Sequence, residues 1–240
     1  MTAVARFSTR PLYLQVKDML IQRILAGTWK PGAAIPNEIE LSRELGISVG
    51  TVRKALDEME GERLISRRQG RGTFVIDQTS DECAARFSNI RDPDGIRIEG
   101  SFQHCEIVAA TANETEAGKL QLRDGEPVFR LRRVRAYSDQ AFMTEDSTIP
   151  QARFPGLDEG GEISTPIVVL ARRYGVLLAR AEEQISIAGA DRNVGAALKV
   201  AEGTPLLQLD RVVYAIDGRP IEWRVANCHL RDMHYMTEIQ

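Results

Sequence analysis

Between residues 36 and 76 the chain runs through two short helical segments set almost end to end and then a tight hairpin, an order few folds accommodate. Asn37 stands where a helix N-cap is needed, and Glu40, three residues on, completes a capping box. The helix so opened extends to Leu45, and Gly46 supplies the left-handed C-cap. Only Ile47 intervenes before Ser48, a second N-cap, and the helix that follows carries Val52, Ala55, Leu56 and Met59 on one face. Two helices joined by a turn this short cannot lie antiparallel, so they cross as a helix-turn-helix unit. After Gly61, the runs Leu64–Arg68 and Thr73–Ile76 flank Gln69-Gly70-Arg71-Gly72 and predict a β-hairpin. Upstream, Pro11 to Ala26 predicts a further helix with Leu12, Val16, Met19, Leu20 and Ile24 facing the core and Gly27 as its stop.

This pattern points to duplex DNA. The second helix of such a unit lays its first residues in the major groove. Here those are Ser48, Val49, Gly50, Thr51, Arg53 and Lys54. Arg53 can fork onto guanine, Thr51 can bond a base or phosphate, and Val49 can touch a thymine methyl. The hairpin reads as a wing. Arg68, Gly70, Arg71, Gly72 and Thr73 make a slim basic tip suited to the minor groove, and Asn37 opens the helix that crosses the backbone.

A net charge of −3 over 240 residues looks unfavourable for this partner, but the average conceals a division. Residues 1–76 carry 12 Lys and Arg against 8 Asp and Glu, whereas residues 77–240 carry 19 against 26. A basic reader joined to an acidic second module is the organisation this predicts: residues 1–76 as one domain, the polar stretch 77–95 as a linker, and residues 96–240 as the other domain.

The second module contains an internal repeat. Gly125-Glu126-Pro127 to Arg135 and Gly203-Thr204-Pro205 to Val213 share the pattern G-x-P-apolar-x-x-L-x-R-V. Each copy passes through a turn into a second extended run, which places Glu145 and Glu222 in near-equivalent positions. A duplicated hairpin in one antiparallel sheet accounts for this, with helices predicted after Ser164-Thr165-Pro166 and over Asp191–Leu198. The fold class is therefore α+β. Period-two alternation puts Arg133 and Arg135 on the face of Leu131, and Arg130 and Arg132 on the other. Arginines beside Leu on an inner face require anionic partners, supplied by Glu145 or by an anionic ligand; arginines on an outer face are simply solvated. The start of the helix after Pro166 would add backbone donors for an anion.

Residues 11–75 resemble the DNA-binding domain of the GntR family of bacterial transcription regulators. The resemblance runs without a gap from PLYLQVKDML to GRGTFV. Family members often carry Arg at the positions of Ile39 and Val49, which implies a shift here toward apolar and shape readout of the operator. Residues 98–235 resemble the UTRA effector-binding domain of the HutC-type branch, through EPVFRLRRVR, FMTEDSTIP, RFPGL, YGVLLARAEEQI and GTPLLQLDRVVYAIDGRPIEW. That resemblance implies a chorismate lyase-like antiparallel sheet with flanking helices. It also implies effector-binding positions at Arg133, Arg135, Glu145, Ser164, Thr165 and Glu222. Many relatives have Ser-Leu-Tyr at the helix start. Pro166 removes one N–H donor there and leaves a carboxylate effector as plausible as a sugar phosphate.

The expectation is thus a cytoplasmic, homodimeric, ligand-responsive repressor of operator DNA, with a chorismate lyase-like enzyme as the alternative. Three scattered cysteines make no disulfide scaffold, and Met1–Arg10 has no apolar run of a secretory leader. No segment has the length and apolarity to span a membrane. Cys228-His229 and His234 lack a second pair at zinc spacing, and no cofactor-binding loop is recognisable, so neither metal nor cofactor is expected.

Overall fold

The structure, a computed structural model, describes residues 10–77, 87–160 and 163–237. It divides into two compact units, Met1–Gln78 and Thr79–Gln240. Cys83 and residues 78–86 of the expected linker lie outside the described residues.

In the first unit, α1 (Leu12–Leu25) packs on α3 (Val49–Gly61), as does α2 (Glu38–Leu45). The signals at the helix ends act as the sequence requires. Asn37 Oδ1 accepts from the N–H groups of Ile39 and Glu40, and Glu40 Oε2 accepts from the Asn37 N–H. Gly46 sits at φ +67 in the left-handed region. Val52, Ala55, Leu56 and Met59 are all buried. Two expectations for α1 fail: Leu12 and Met19 are 51% and 44% exposed, while Ile21 is buried with Val16, Leu20 and Ile24. The buried face of α1, which packs on α3, is Val16, Leu20, Ile21 and Ile24. The hairpin pairs β2 (Ile65–Arg68) with β3 (Gly72–Val75). A short β1 (Ala34–Ile35), which no pattern of two residues could reveal, adds to the far edge of β3.

The second unit is built on a six-stranded antiparallel sheet of order β5-β6-β7-β10-β9-β8. The strands are β5 (Ser101–Thr111), β6 (Pro127–Tyr137), β7 (Gln140–Pro150), β8 (Leu178–Gly189), β9 (Pro205–Ala215) and β10 (Pro220–Cys228). The repeat is larger than the duplicated hairpin. Helix α4 (Glu114–Leu120) precedes β6 as α6 (Arg192–Leu198) precedes β9. Both helices are capped by an acceptor side chain, Asn113 or Asp191, and both end on a left-handed residue, Gln121 or Lys199. These pairs stand 78 positions apart, as do Gly125 and Gly203. The two strand-helix-strand-strand copies meet at the β7–β10 pair in the centre of the sheet. The sequence reading missed α4 although Asn113 and Glu116 form the same capping box that marks α2, so the signal was present at the N-cap and not in the periodicity.

Helix α5 (Ile167–Arg173) covers one sheet face through Ile167, Val168, Leu170 and Ala171, which pack with Phe129, Leu131, Phe154 and Val213. Neither Ser164 nor Thr165 caps it. Pro166 itself occupies the N-cap with no side-chain bond. The stretch expected to be linker is folded from Phe87 onward. Ile90 and Arg91 form β4, which pairs with β11 (His234–Tyr235), and Asp92 Oδ1 accepts from the N–H groups of Asp94 and Ile96. Composition suggested a linker because an Asx turn is made of the same polar residues as a flexible one.

Candidate functional site

The first site is the exposed end of α3 with the adjoining wing. Ser48 Oγ accepts from the Thr51 N–H at 3.2 Å and lies 2.8 Å from Thr51 Oγ1, so the first turn is fixed before any partner arrives. Gly50, Arg53 and Lys54 are exposed, and Val49 and Thr51 half-buried. Lys54 Nζ rests 4.1 Å from the Tyr13 ring centroid, and the Arg68 guanidinium 4.8 Å from that of Phe74. Arg71 projects from a turn whose glycines, Gly70 and Gly72, have φ of +70 and +108, conformations a side chain would strain; Thr73 is half-buried on the outgoing strand. Asn37 is committed to its cap through Oδ1, which leaves only its amide nitrogen for a phosphate. Arg67 is held by Asp57 at 2.6 Å, Glu60 at 2.8 Å and Glu38 at 3.4 Å, and so anchors the wing to the helices.

Arg53 is not idle. Its Nε donates to Glu38 Oε2 at 2.8 Å. A contact through Nε must displace that carboxylate, and any contact brings phosphate against the charge of Glu38. An exposed pair of this kind contributes about 0.2–1 kcal/mol. Glu38→Gln is therefore expected to tighten DNA binding by roughly two- to fivefold. Fluorescence anisotropy on one duplex at fixed salt measures it, and unchanged or weaker binding refutes the competition.

The second site lies inside the sheet face covered by α5. Arg133, Glu145 and Glu222 are 1%, 0% and 1% exposed, and Arg135 is 8%. β6 pairs with β7 so that Arg133 stands directly opposite Glu145. Arg133 Nη2 is 3.1 Å from Glu145 Oε2 and 3.5 Å from Glu222 Oε1, while its Nη1 donates to the Thr165 carbonyl at 2.9 Å. Arg135 Nε lies 3.1 Å from Glu145 Oε1, and Arg135 Nη1 donates to the Glu99 carbonyl at 2.9 Å. The outer-face reading applies only to Arg130 and Arg132, which are exposed and paired with Glu116 and Asp146.

Three further charged residues complete the cluster, and sequence reasoning missed all three. Arg224 Nη1 donates to Glu145 Oε1 at 2.8 Å. Arg211 Nε donates to Glu183 Oε1 at 2.6 Å, and its Nη1 donates to the Phe87 carbonyl at 2.5 Å. Arg211 occupies in the second repeat the position of Arg133 in the first, so the repeat itself carried the signal. Strand pairing also corrects the equivalence of the two glutamates: Glu145 faces Arg133, but the residue facing Arg211 is Arg224, two positions past Glu222. Of the residues expected here, Ser164 stands apart, exposed and with its hydroxyl 3.4 Å from Cys105 Sγ, and Thr165 contributes only its carbonyl.

Arg133, Arg135, Arg211, Arg224 and Glu222 surround a cavity of about 30 Å³, bordered also by Phe87, Ser88, Glu99 and Pro166–Val169, with Glu145 and Glu183 behind the arginines they pair with. That is room for about one water. Burial alone raises the carboxyl of Glu145, but Arg135, Arg133, Arg224 and Arg211 together hold it at about 2. Burial lowers Arg135 and Arg211 despite their carboxylate neighbours. The depressed Glu145 makes stability depend on acid. Its contribution is complete above the ordinary carboxylate range, near 4.5, and is lost as pH falls through about 2. Loss of on the order of 3 kcal/mol across that window is expected by acid titration of denaturant midpoints, and Glu145→Gln should flatten it. An equal slope in both proteins refutes this.

The bacterial regulatory protein gntR family model matches residues 12–75, and the UTRA domain model matches residues 98–234. The chain belongs to the GntR family and carries a UTRA domain. It is similar to the histidine utilization repressor of Pseudomonas putida, 31% identical over 84% of this chain and 81% of that protein. Among solved structures it is similar to PhnF from Mycobacterium smegmatis, 27% identical, covering 94% of this chain and 99% of that one with a TM-score of 0.55. The ligand-binding domain of a GntR-family regulator from Bordetella bronchiseptica is 26% identical and covers 65% of this chain and 98% of that one, with a TM-score of 0.56. This GntR regulator is a ligand-responsive, DNA-binding transcription regulator of the HutC type. The lyase-like alternative falls, because the family and the relatives are regulators rather than enzymes. Among the described residues, no helix is long and apolar enough to cross a membrane.

Proposed function

We propose that this regulator is a cytoplasmic, homodimeric repressor that leaves its operator when a small anion, an organic acid or a sugar phosphate, enters the Arg133–Arg135 cavity. Arg53, Thr51 and Val49 read bases in the major groove, Arg71 enters the minor groove, and Ser48, Lys54 and Arg68 hold phosphates. A dimer places two such helices in successive major grooves of a pseudo-palindromic site.

The observation that carries the effector reading is that the buried arginines also hold the backbone leading into the sensor. Arg211 donates to the Phe87 carbonyl and Arg135 to the Glu99 carbonyl. An anion that takes these guanidinium groups competes with both carbonyls. Binding energy at the cavity is thereby converted into a rearrangement of the segment that begins the sensor, the one that follows the DNA-binding unit in sequence. By linkage, effector and operator must weaken each other's binding by the same factor. The test is operator affinity with and without a metabolite that raises the melting temperature of the full chain. Equal affinity in both refutes the switch.

A further inference from the structure

The hydrogen-bonding groups left over inside the cavity define a narrower ligand class than an anion. This inference rests on the cavity being the effector site. The cluster holds four arginines and three glutamates, counted among the described residues. Glu99 borders the cavity but enters the count only through its carbonyl, because its residue is exposed and its carboxylate acts on Arg97. The buried set is therefore one positive charge in excess. The unsatisfied atoms are of both kinds. Nε of Arg133 and Arg224 are buried donors without an acceptor, and Glu222 Oε2 is a buried acceptor without a donor, while Arg135 Nε and Glu145 Oε2 have only ion-pair neighbours at 3.1 Å and no aligned hydrogen bond.

We infer that the effector is a monocarboxylate bearing a neutral O–H or N–H donor, its carboxylate taken by Arg133 and Arg135 and its donor read by Glu222. One negative charge neutralises the cluster. A phosphate dianion would reverse the imbalance among these buried groups, where an uncompensated charge is costly. A plain fatty acid would satisfy the arginines and leave Glu222 as it stands, with an acceptor unmet. The small volume of the cavity means that the ligand replaces internal bonds, chiefly those from Arg133 to Thr165 and from Arg135 to Glu99.

The experiment uses the full chain and three matched panels of small anions. These are hydroxy- and N–H-bearing monocarboxylates (glycolate, lactate, glycerate, imidazole-4-acetate), the plain acids acetate, propionate and butyrate, and the phosphate esters glycerol 3-phosphate and glucose 6-phosphate. Thermal shift ranks them, and calorimetry measures the best of each panel on wild type, Glu222→Gln and Arg133→Ala. A donor-bearing monocarboxylate is expected to bind best, about tenfold more weakly to Glu222→Gln and undetectably to Arg133→Ala. Should Arg133→Ala fail to fold, Arg135→Lys, which keeps the charge and loses the fork, takes its place. A phosphate ester binding best, with the effect lost in the arginine variant, overturns the ligand class and leaves the site. A plain acid binding as tightly as its hydroxylated counterpart overturns the role of Glu222. If no panel shifts wild type, or the shift survives the arginine variant, the site itself is wrong and the inference falls with it.

Discussion

Arg53→Ala is expected to weaken operator binding by about 1–3 kcal/mol, roughly ten- to a hundredfold, while leaving effector affinity unchanged. Arg53 is exposed on the first turns of α3, and its one carboxylate partner, Glu38, is itself on the surface. Truncation therefore costs the fold little. The loss should be greatest for duplexes retaining the specific base pair and smaller for substituted ones, because a fork onto a base carries sequence information and a phosphate contact does not. A uniform loss across sequences, with the salt slope reduced by about one, would reassign Arg53 to the backbone. Double substitution with Glu38→Gln separates the terms, since without Arg53 the gain from removing Glu38 should shrink to its repulsion of phosphate alone.

Glu145→Gln is expected to be the most destabilising conservative change in the sensor, by about 3–5 kcal/mol, and more damaging than Arg133→Ala. Three arginines lie at ion-pair distance from this one carboxylate, which is fully buried. Its neutralisation raises a surplus of one positive charge to two. Removing Arg133 brings the same cluster to balance. The Arg133 variant still loses its bonds to Thr165 and Ser147 and leaves a space. It should fold and bind operator DNA yet fail to respond to effector. Chemical denaturation of both variants, read with operator binding, decides this. Arg133→Ala proving the less stable of the two would mean that lost contacts outweigh charge balance here.

Several parts of this regulator could be read directly from residue order. The helix-turn-helix was legible because its signals are local: Asn37 and Glu40 reach each other within one turn, Gly46 needs no partner to turn left, and Ser48 is bonded three residues on. Strand alternation put Arg133 and Arg135 on the face of Leu131, and burial of all three in the structure makes that face the inner one. Other elements depended on distant partners. β1 exists only through its pairing with β3, and β4 only through β11, more than a hundred residues away. Phe87–Gly95 looked like linker because what orders it, the Arg211 bond to Phe87 and the pairing of Ile90 with Tyr235, lies outside the segment.

Residue order alone sets out a basic winged reader joined to a duplicated α+β sensor, and the strand that bears the arginines. These features depend on caps, turns and alternation, interactions that span a few residues. That Arg211, Arg224 and Glu183 join Arg133, Arg135, Glu145 and Glu222 in one buried ion-pair cluster is a property of the assembled sheet. Their meeting depends on the strand order and registers that bring β6, β7, β10, β9 and β8 side by side. Register is set by the packing of the whole sheet, and no local pattern of residues encodes it.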